Sequence, residues 1–249
     1  MDAGEMASVY FPAMPPLSLS VILAALPAVV ILWYFRRLDK ARPEPLGLIG
    51  RSVLYGFLAV IPAAAIEMGI GFVAPERSTL LSQLFYAFAV AGLVEESVKL
   101  YFVRRYILRR REFDERVDGI VYAICVSMGF AFVENLLYGY RDAGILFARA
   151  FSAVPGHALF SGIMGYYIGL SKIEQGRRGA WAKGLAWAVL LHGLYDFFLF
   201  SGQGLAVIPL LLAGWAVLVR LFKKAARADA ADRAADGDLS YQSPATPIL

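Results

Sequence analysis

The sequence predicts an all-α, polytopic membrane protein of about seven transmembrane helices, its N-terminus outside and its C-terminus in the cytoplasm. Three observations carry this. The 249 residues are 59% hydrophobic and only 18% charged, with a mean hydropathy of +0.60, where soluble domains carry about a quarter charged residues. The apolar residues gather into runs of about 20, the length that crosses a bilayer core. Lys and Arg crowd into alternate loops, nineteen on one side and two on the other, which orients a bundle with its basic loops inside. The net charge of +4 and pI of 9.2 follow from those loops and require no nucleic-acid partner.

The runs justify the helices in order. The first, 17–35, ends on Arg36 and Arg37, and the second, 52–74, is followed by the short connection Ala74–Thr79. The third, 80–106, closes on Arg104 and Arg105 and leads into Arg109, Arg110 and Arg111. The fourth, 117–139, opens at Asp118, where a carboxylate suits the positive end of the helix dipole. The fifth, 144–171, is interrupted by Pro155-Gly156. Proline disfavours helical geometry in the residue ahead of it, so a segment up to Val154 followed by a new helix carrying His157 in its first turn is expected. Irregular backbone at membrane depth is tolerated where it is buried in protein or lines a wet cavity, which places a cavity beside His157. Runs 180–200 and 204–222 complete the bundle, and the short connections predict antiparallel neighbours. Gly162, Gly165 and Gly169, with Gly184, Ala186 and Ala188, read as close helix packing.

One domain is expected over 1–224, with a motif-bearing core at 80–200. Residues 225–249, rich in Ala, Asp and Arg, read as a flexible cytoplasmic tail that extends the last helix briefly and then frays. Residues 1–16 are too polar and proline-rich for a signal peptide. Cys125 is the single cysteine, so there is no disulfide framework and no cysteine-based metal site.

Polar residues within the runs carry the functional signal. Glu95 and Glu96 adjoin each other in the third run, with Lys99 one turn on. Each such charge costs roughly 2.5–3.5 kcal/mol at a helix centre and is kept facing a protein interior or wet cavity. A single Lys99 neutralises at most one of the two carboxylates, which leaves the other for general-base work. His192 and Asp196 are four apart on one helix face, the placement of a carboxylate that fixes a histidine tautomer. Glu134 and Asn135 lie in the fourth run and His157 in the fifth. At 1.5 Å per residue, Glu134, His192 and Asp196 fall in the outer half of the bilayer and Glu95 and Glu96 near its middle. Two histidines and one glutamate, His157, His192 and Glu134, match a catalytic zinc set with an open position for water. A glutamate outside that set would take the water's proton, and Asn135 offers a hydrogen bond to an oxyanion. Arg51 and Glu67 sit near the ends of the second run, where snorkelling suffices, and Asp118 and Arg149 read as structural. The rival class is a proton- or ion-coupled transporter, since intramembrane Glu/His/Asp chains also relay protons. No internal repeat of the transporter kind is visible.

The motifs resemble those of a known family. Glu95-Glu96-Ser97-Val98-Lys99 has the form E-E-x-x-K, and Phe130-Ala131-Phe132-Val133-Glu134-Asn135 has the form F-x-x-x-E-N after Asp118-Gly119-Ile120-Val121-Tyr122. His157 opens a third motif, and His192-Gly193-Leu194-Tyr195-Asp196 has the form H-x-x-x-D. Together, in this order and in separate runs, they resemble the PrsW family of intramembrane proteases, related to the CAAX-protease superfamily. The resemblance implies a multi-pass enzyme of the cell membrane, inner or plasma. Its implied substrate is a membrane-anchored protein of the anti-sigma-factor kind, cut on its extracytoplasmic side. It implies Glu95 and Glu96 as the catalytic pair and Glu134, His157 and His192 as further site residues. Zinc and a glutamate-activated water alone both stay open, as does which glutamate is the base.

The orientation is open to direct test. Alkaline phosphatase inserted in the 74–79 connection is expected to be active and a C-terminal fusion inactive; the reverse pattern rejects the assignment.

Overall fold

A computed structural model describes residues 17–39, 42–139, 142–235 and 237, and the regular structure among them is entirely helical. Seven helical segments form one bundle, six of them long and apolar enough to cross a membrane. Residues 1–16, 40–41, 140–141, 236 and 238–249 lie outside the described residues, and with them the predicted N-terminal segment and the end of the tail.

Helix α1 (Leu17–Leu38) carries Arg36 and Arg37 in its last turn, where cations oppose the dipole. Helix α2 (Leu46–Gly71) starts behind the extended Pro45. Helix α3 (residues 80–107) begins in a capping box, Ser82 N–H donating to Thr79 Oγ1 at 3.2 Å and Thr79 N–H to Ser82 Oγ at 3.0 Å. It contains two π-helical stretches, Phe85–Gly92 and Val103–Ile107, around the α-helical Leu93–Phe102. That widened pitch escapes a search for 3.6-residue periodicity, and such insertions recur at functional sites.

Helix α4 (Arg116–Gly139) is the centre of the bundle. Most of its most apolar stretch is buried, 72% against 17% for α1 and 22% for α2, which face outward. Close backbone approach gives it that position. A Cβ on Gly119 would run into the carbonyl oxygen of Gly165, and one on Gly169 into that of Arg116. The small residues therefore let backbones touch, as small-residue seams do in membranes.

The fifth segment is broken, as the sequence predicts, but at Ser152 (φ −121, ψ −60), three residues ahead of Pro155. Helix α5 (Ala143–Phe151) stops there and α6 (Ala153–Ile173) restarts at once. Proline is tolerated in the first turn of a helix, where its missing N–H has no partner to lose, so Pro155 lies inside α6 and His157 follows two residues later. Ser152 Oγ donates to the Ala148 carbonyl and meets the Tyr195 hydroxyl at 3.0 Å, which ties the break to α7 (Ala180–Phe200).

Helix α8 (Val207–Ala235) corrects the reading of the tail as flexible from residue 225. The helix continues through that point and is docked. Asp229, 4% exposed, accepts from the Arg116 and Val117 N–H groups at 3.1 Å each and from the Arg116 guanidinium at 2.8 Å. Asp232 and Glu174 also pair with Arg116, and Arg233 pairs with Glu115. A composition that reads as disordered is held by specific charges at the N-terminus of α4, whose first N–H groups have no intrahelical partner.

Gly119→Ala is expected to lower stability by about 1–3 kcal/mol, the usual cost of overpacking, in thermal unfolding in detergent. Gly50→Ala, with nothing within 4 Å of the added Cβ, serves as the neutral control.

Candidate active site

The site grows from the α-helical turn Leu93–Phe102 of α3. At 3.6 residues per turn, Glu95, Glu96 and Lys99 share one face, and all three are buried. Helix α7 lies against that face through glycines: a Cβ on Gly92 would lie 3.2 Å from the Val189 carbonyl and 3.3 Å from the Gly193 nitrogen. The neighbour of Gly193 is His192, so this approach delivers its ring to Glu96.

The polar groups interlock across five helices, α3 to α7. Lys99 Nζ lies 3.1 Å from Glu95 Oε2, 2.8 Å from Glu96 Oε1 and 3.0 Å from His157 Nδ1, and 4.2 Å from the centre of the Phe130 ring. One ammonium thus bridges both glutamates, whereas the spacing alone promised it to one. Glu96 also meets His192 Nδ1 at 3.1 Å and accepts from Ser161 Oγ at 3.0 Å. Ser161 in turn contacts Ser127 Oγ, which donates to the His157 carbonyl at 2.8 Å. On its far edge His157 Nε2 meets Glu134 Oε2 at 2.7 Å, and Arg149 closes on Glu134 Oε1 at 2.8 Å. His192 Nε2 stands 3.5 Å from Asp196 Oδ2 and 4.0 Å from Glu95 Oε2. The two imidazole rings are 5.4 Å apart, edge to face, with Phe160 stacked on His192.

Exposure separates the groups by depth in the site. The side chains of Glu96 and Lys99 are 0% and 1% exposed, that of Glu95 8%, and those of Glu134 and Asp196 16% each. Glu96 is therefore fully buried and engaged, and Glu95 is the more exposed of the pair, with fewer partners. Four carboxyls, Glu67, Glu95, Glu134 and Asp196, act on one another here, with Glu96 beside them, against two permanent cations, Lys99 and Arg149. Such an excess of negative charge in low dielectric calls for further positive charge, from protons or a bound cation.

One ligand atom each from Glu95, Glu96, His157 and His192 lies within 4.8 Å of the others. Two carboxylates and two imidazoles suit zinc in type and number. Lys99 is bonded to three of these four residues, so the ammonium and a metal compete for the same electron pairs. This tight group holds Glu95 and Glu96 where the sequence reading has Glu134, which lies on the outer edge of His157.

All eight residues singled out from the sequence, Glu95, Glu96, Lys99, Glu134, Asn135, His157, His192 and Asp196, meet in this volume. Asn135 accepts from Arg149 Nε at 2.9 Å, and its buried Nδ2 has no partner among the described residues. The sequence reading passed over four contributors. Arg149, read as structural, is the counter-ion of Glu134. Glu67, read as a snorkelling end residue, interacts with the charges of Glu95, Glu134, His192 and Lys99. Ser127 and Ser161 carry no signal in a helix where serine usually serves packing. Glu67 and Arg149 each had one, being charges inside apolar runs.

The model of the PrsW family of intramembrane metalloproteases matches residues 44–222. The protease PrsW of Geobacillus kaustophilus is 39% identical over 207 residues, which cover 80% of this chain and 88% of that protein. The protease PrsW of Oceanobacillus iheyensis is 37% identical over 216 residues, 83% and 96% of the two chains, and that of Bacillus subtilis 34% over 207 residues, 80% and 92%. No solved structure matches the chain.

Lys99→Met is expected to destabilise the fold by about 3–5 kcal/mol, the cost of stranding a buried partner charge. The double variant Lys99→Met, Glu96→Gln should recover part of that loss in thermal unfolding. Wild-type stability in Lys99→Met would show the ammonium to be dispensable.

Proposed function

The chain belongs to the PrsW family of intramembrane proteases, and from that membership we propose that it hydrolyses a peptide bond in a membrane-anchored protein with a glutamate-activated water. The observation that carries the reading is the buried convergence of Glu95, Glu96, His157 and His192 within 4.8 Å. A membrane-anchored substrate of the anti-sigma-factor kind and a site in the cell membrane are part of the same proposal.

Glu95 is the base in this reading, because it is the less engaged and more accessible of the pair. It takes a proton from water as the water oxygen bonds to the scissile carbonyl carbon. The same proton then passes to the amide nitrogen as the C–N bond breaks, which leaves a carboxylic acid and an amine. Glu96 stays ionised at the base of the site, held by Lys99, His192 and Ser161. The free Nδ2 of Asn135 supplies a donor for the carbonyl oxygen as charge develops on it. Asp196 orients His192, and Glu134, fixed by Arg149, orients His157.

Glu96, His157 and His192 are the residues that would hold a metal, zinc by donor type. Bound there, zinc lowers the pKa of water to about 7 and polarises the carbonyl. In this reading Glu134, which lies on the outer edge of His157, orients that histidine in place of the ligand role that the sequence alone suggests.

The test is cleavage of a reconstituted single-span reporter substrate. Glu95→Gln, Glu96→Gln and His192→Ala are each expected to reduce the rate by at least about 10²–10⁴-fold, the contribution of one acid–base group, while the chain still inserts and folds. Full activity in all three would sink the proposal. Metal analysis of purified protein, expected to give one zinc per chain that is lost in His157→Ala and His192→Ala, separates metal assistance from glutamate alone.

A further inference from the structure

A second cluster of carboxylates lies at the opposite end of the bundle, where the basic connections gather. Asp39 follows the last turn of α1, Glu44 precedes α2, and Asp118 sits in the first turn of α4. All three are at least 95% buried. One carboxylate oxygen from each lies within 4.8 Å of the others.

Their hydrogen bonds account for only part of the need. Asp118 Oδ2 accepts from the Asp114 and Glu115 N–H groups at 2.8 and 2.7 Å, the Tyr122 hydroxyl donates to Glu44 Oε2, and the Glu44 N–H donates to the Asp39 side chain. Asp39 Oδ2 and Asp118 Oδ1 remain buried without a partner among the described residues. Among the described residues, Arg233 acts on Asp39 and Lys172 on Asp118 from further away, and Arg42 pairs with Asp114 and Glu115 beside the cluster. Arg233 is bonded to Glu115, and Lys172 to the Leu108 and Arg110 carbonyls.

We propose that Asp39, Glu44 and Asp118 form a binding site for a hard divalent cation, Mg²⁺ or Ca²⁺, that ties the α1–α2 connection to the head of α4. A proton shared between Glu44 and Asp118, whose side chains are in contact, would serve one pair of oxygens and leave Asp39 Oδ2 orphaned. A cation serves all three. The donors are oxygen only, which excludes the softer metals and selects Mg²⁺ or Ca²⁺. None of the three residues belongs to the Glu95–His192 site, so this proposal stands independently of the protease reading.

The test is thermal unfolding of the full-length protein in detergent, stripped with EDTA and then titrated with Mg²⁺ or Ca²⁺. The expected result is a saturable rise in melting temperature that persists in Glu95→Gln and disappears in Asp39→Asn, Glu44→Gln. This double variant also removes like charges, so in EDTA it should melt no lower than the wild type. A second readout needs no variant to fold with altered charge. Terbium bound beside Tyr122 should give sensitised emission that Ca²⁺ displaces and Tyr122→Phe removes. Absence of any cation response in the wild type would overturn the site. So would a response kept by the Asp39→Asn, Glu44→Gln variant, or a dependence on pH with none on cation.

Discussion

The rest of the structure depends on an ammonium group buried in the interior of the bundle. Lys99 at 0% exposure would be prohibitively costly alone, and two adjacent buried carboxylates would be worse. Together they are tolerable, provided every remaining lone pair finds a donor. That condition recruits His192 from α7, Ser161 and His157 from α6, and through His157 the Glu134–Arg149 pair from α4 and α5. The relative positions of five helices, α3 to α7, are thus set by the satisfaction of one buried charge. The same arrangement leaves Glu95 as the member with unfilled capacity.

Packing gives that network its precision. In a bilayer the apolar effect does not drive helices together, and association rests on close contact and hydrogen bonding. The contacts of Gly119, Gly165 and Gly169 bring α4 and α6 to backbone distance, and Gly92 does the same for α3 and α7. A polar network with hydrogen bonds near 3 Å needs such backbones, because long side chains between helices would blur its geometry. The π-helical stretches on either side of Leu93–Phe102 fit the same demand, shifting which face of α3 turns inward.

Much of this was legible beforehand, for physical reasons that differ from residue to residue. Helix positions follow from run length, and the site from the rarity of charge in a membrane, which made Glu95, Glu96, His157 and His192 conspicuous. Arg149 and Glu67 were visible as charges but not as neighbours, since no periodicity joins α2 or α5 to α3. Ser127 and Ser161 were silent because a serine is cheap in a membrane helix. The π-helical turns were hidden because their pitch does not match the 3.6-residue pattern. The docked end of α8 was misread because its composition suggests a solvated tail, although Asp229, Asp232 and Arg233 share one face at spacings of three and four. Asp39, Glu44 and Asp118 are ordinary in sequence and unusual only once the fold brings them together.

The cap that Asp229 places on α4 also has a meaning for biosynthesis. The first N–H groups of the central helix are satisfied by a residue made more than a hundred positions later. A chain still leaving the ribosome can thread six segments into the bilayer and yet hold its core helix with an open end. The N-terminus of α4 is therefore fully capped only once the last helix is in place.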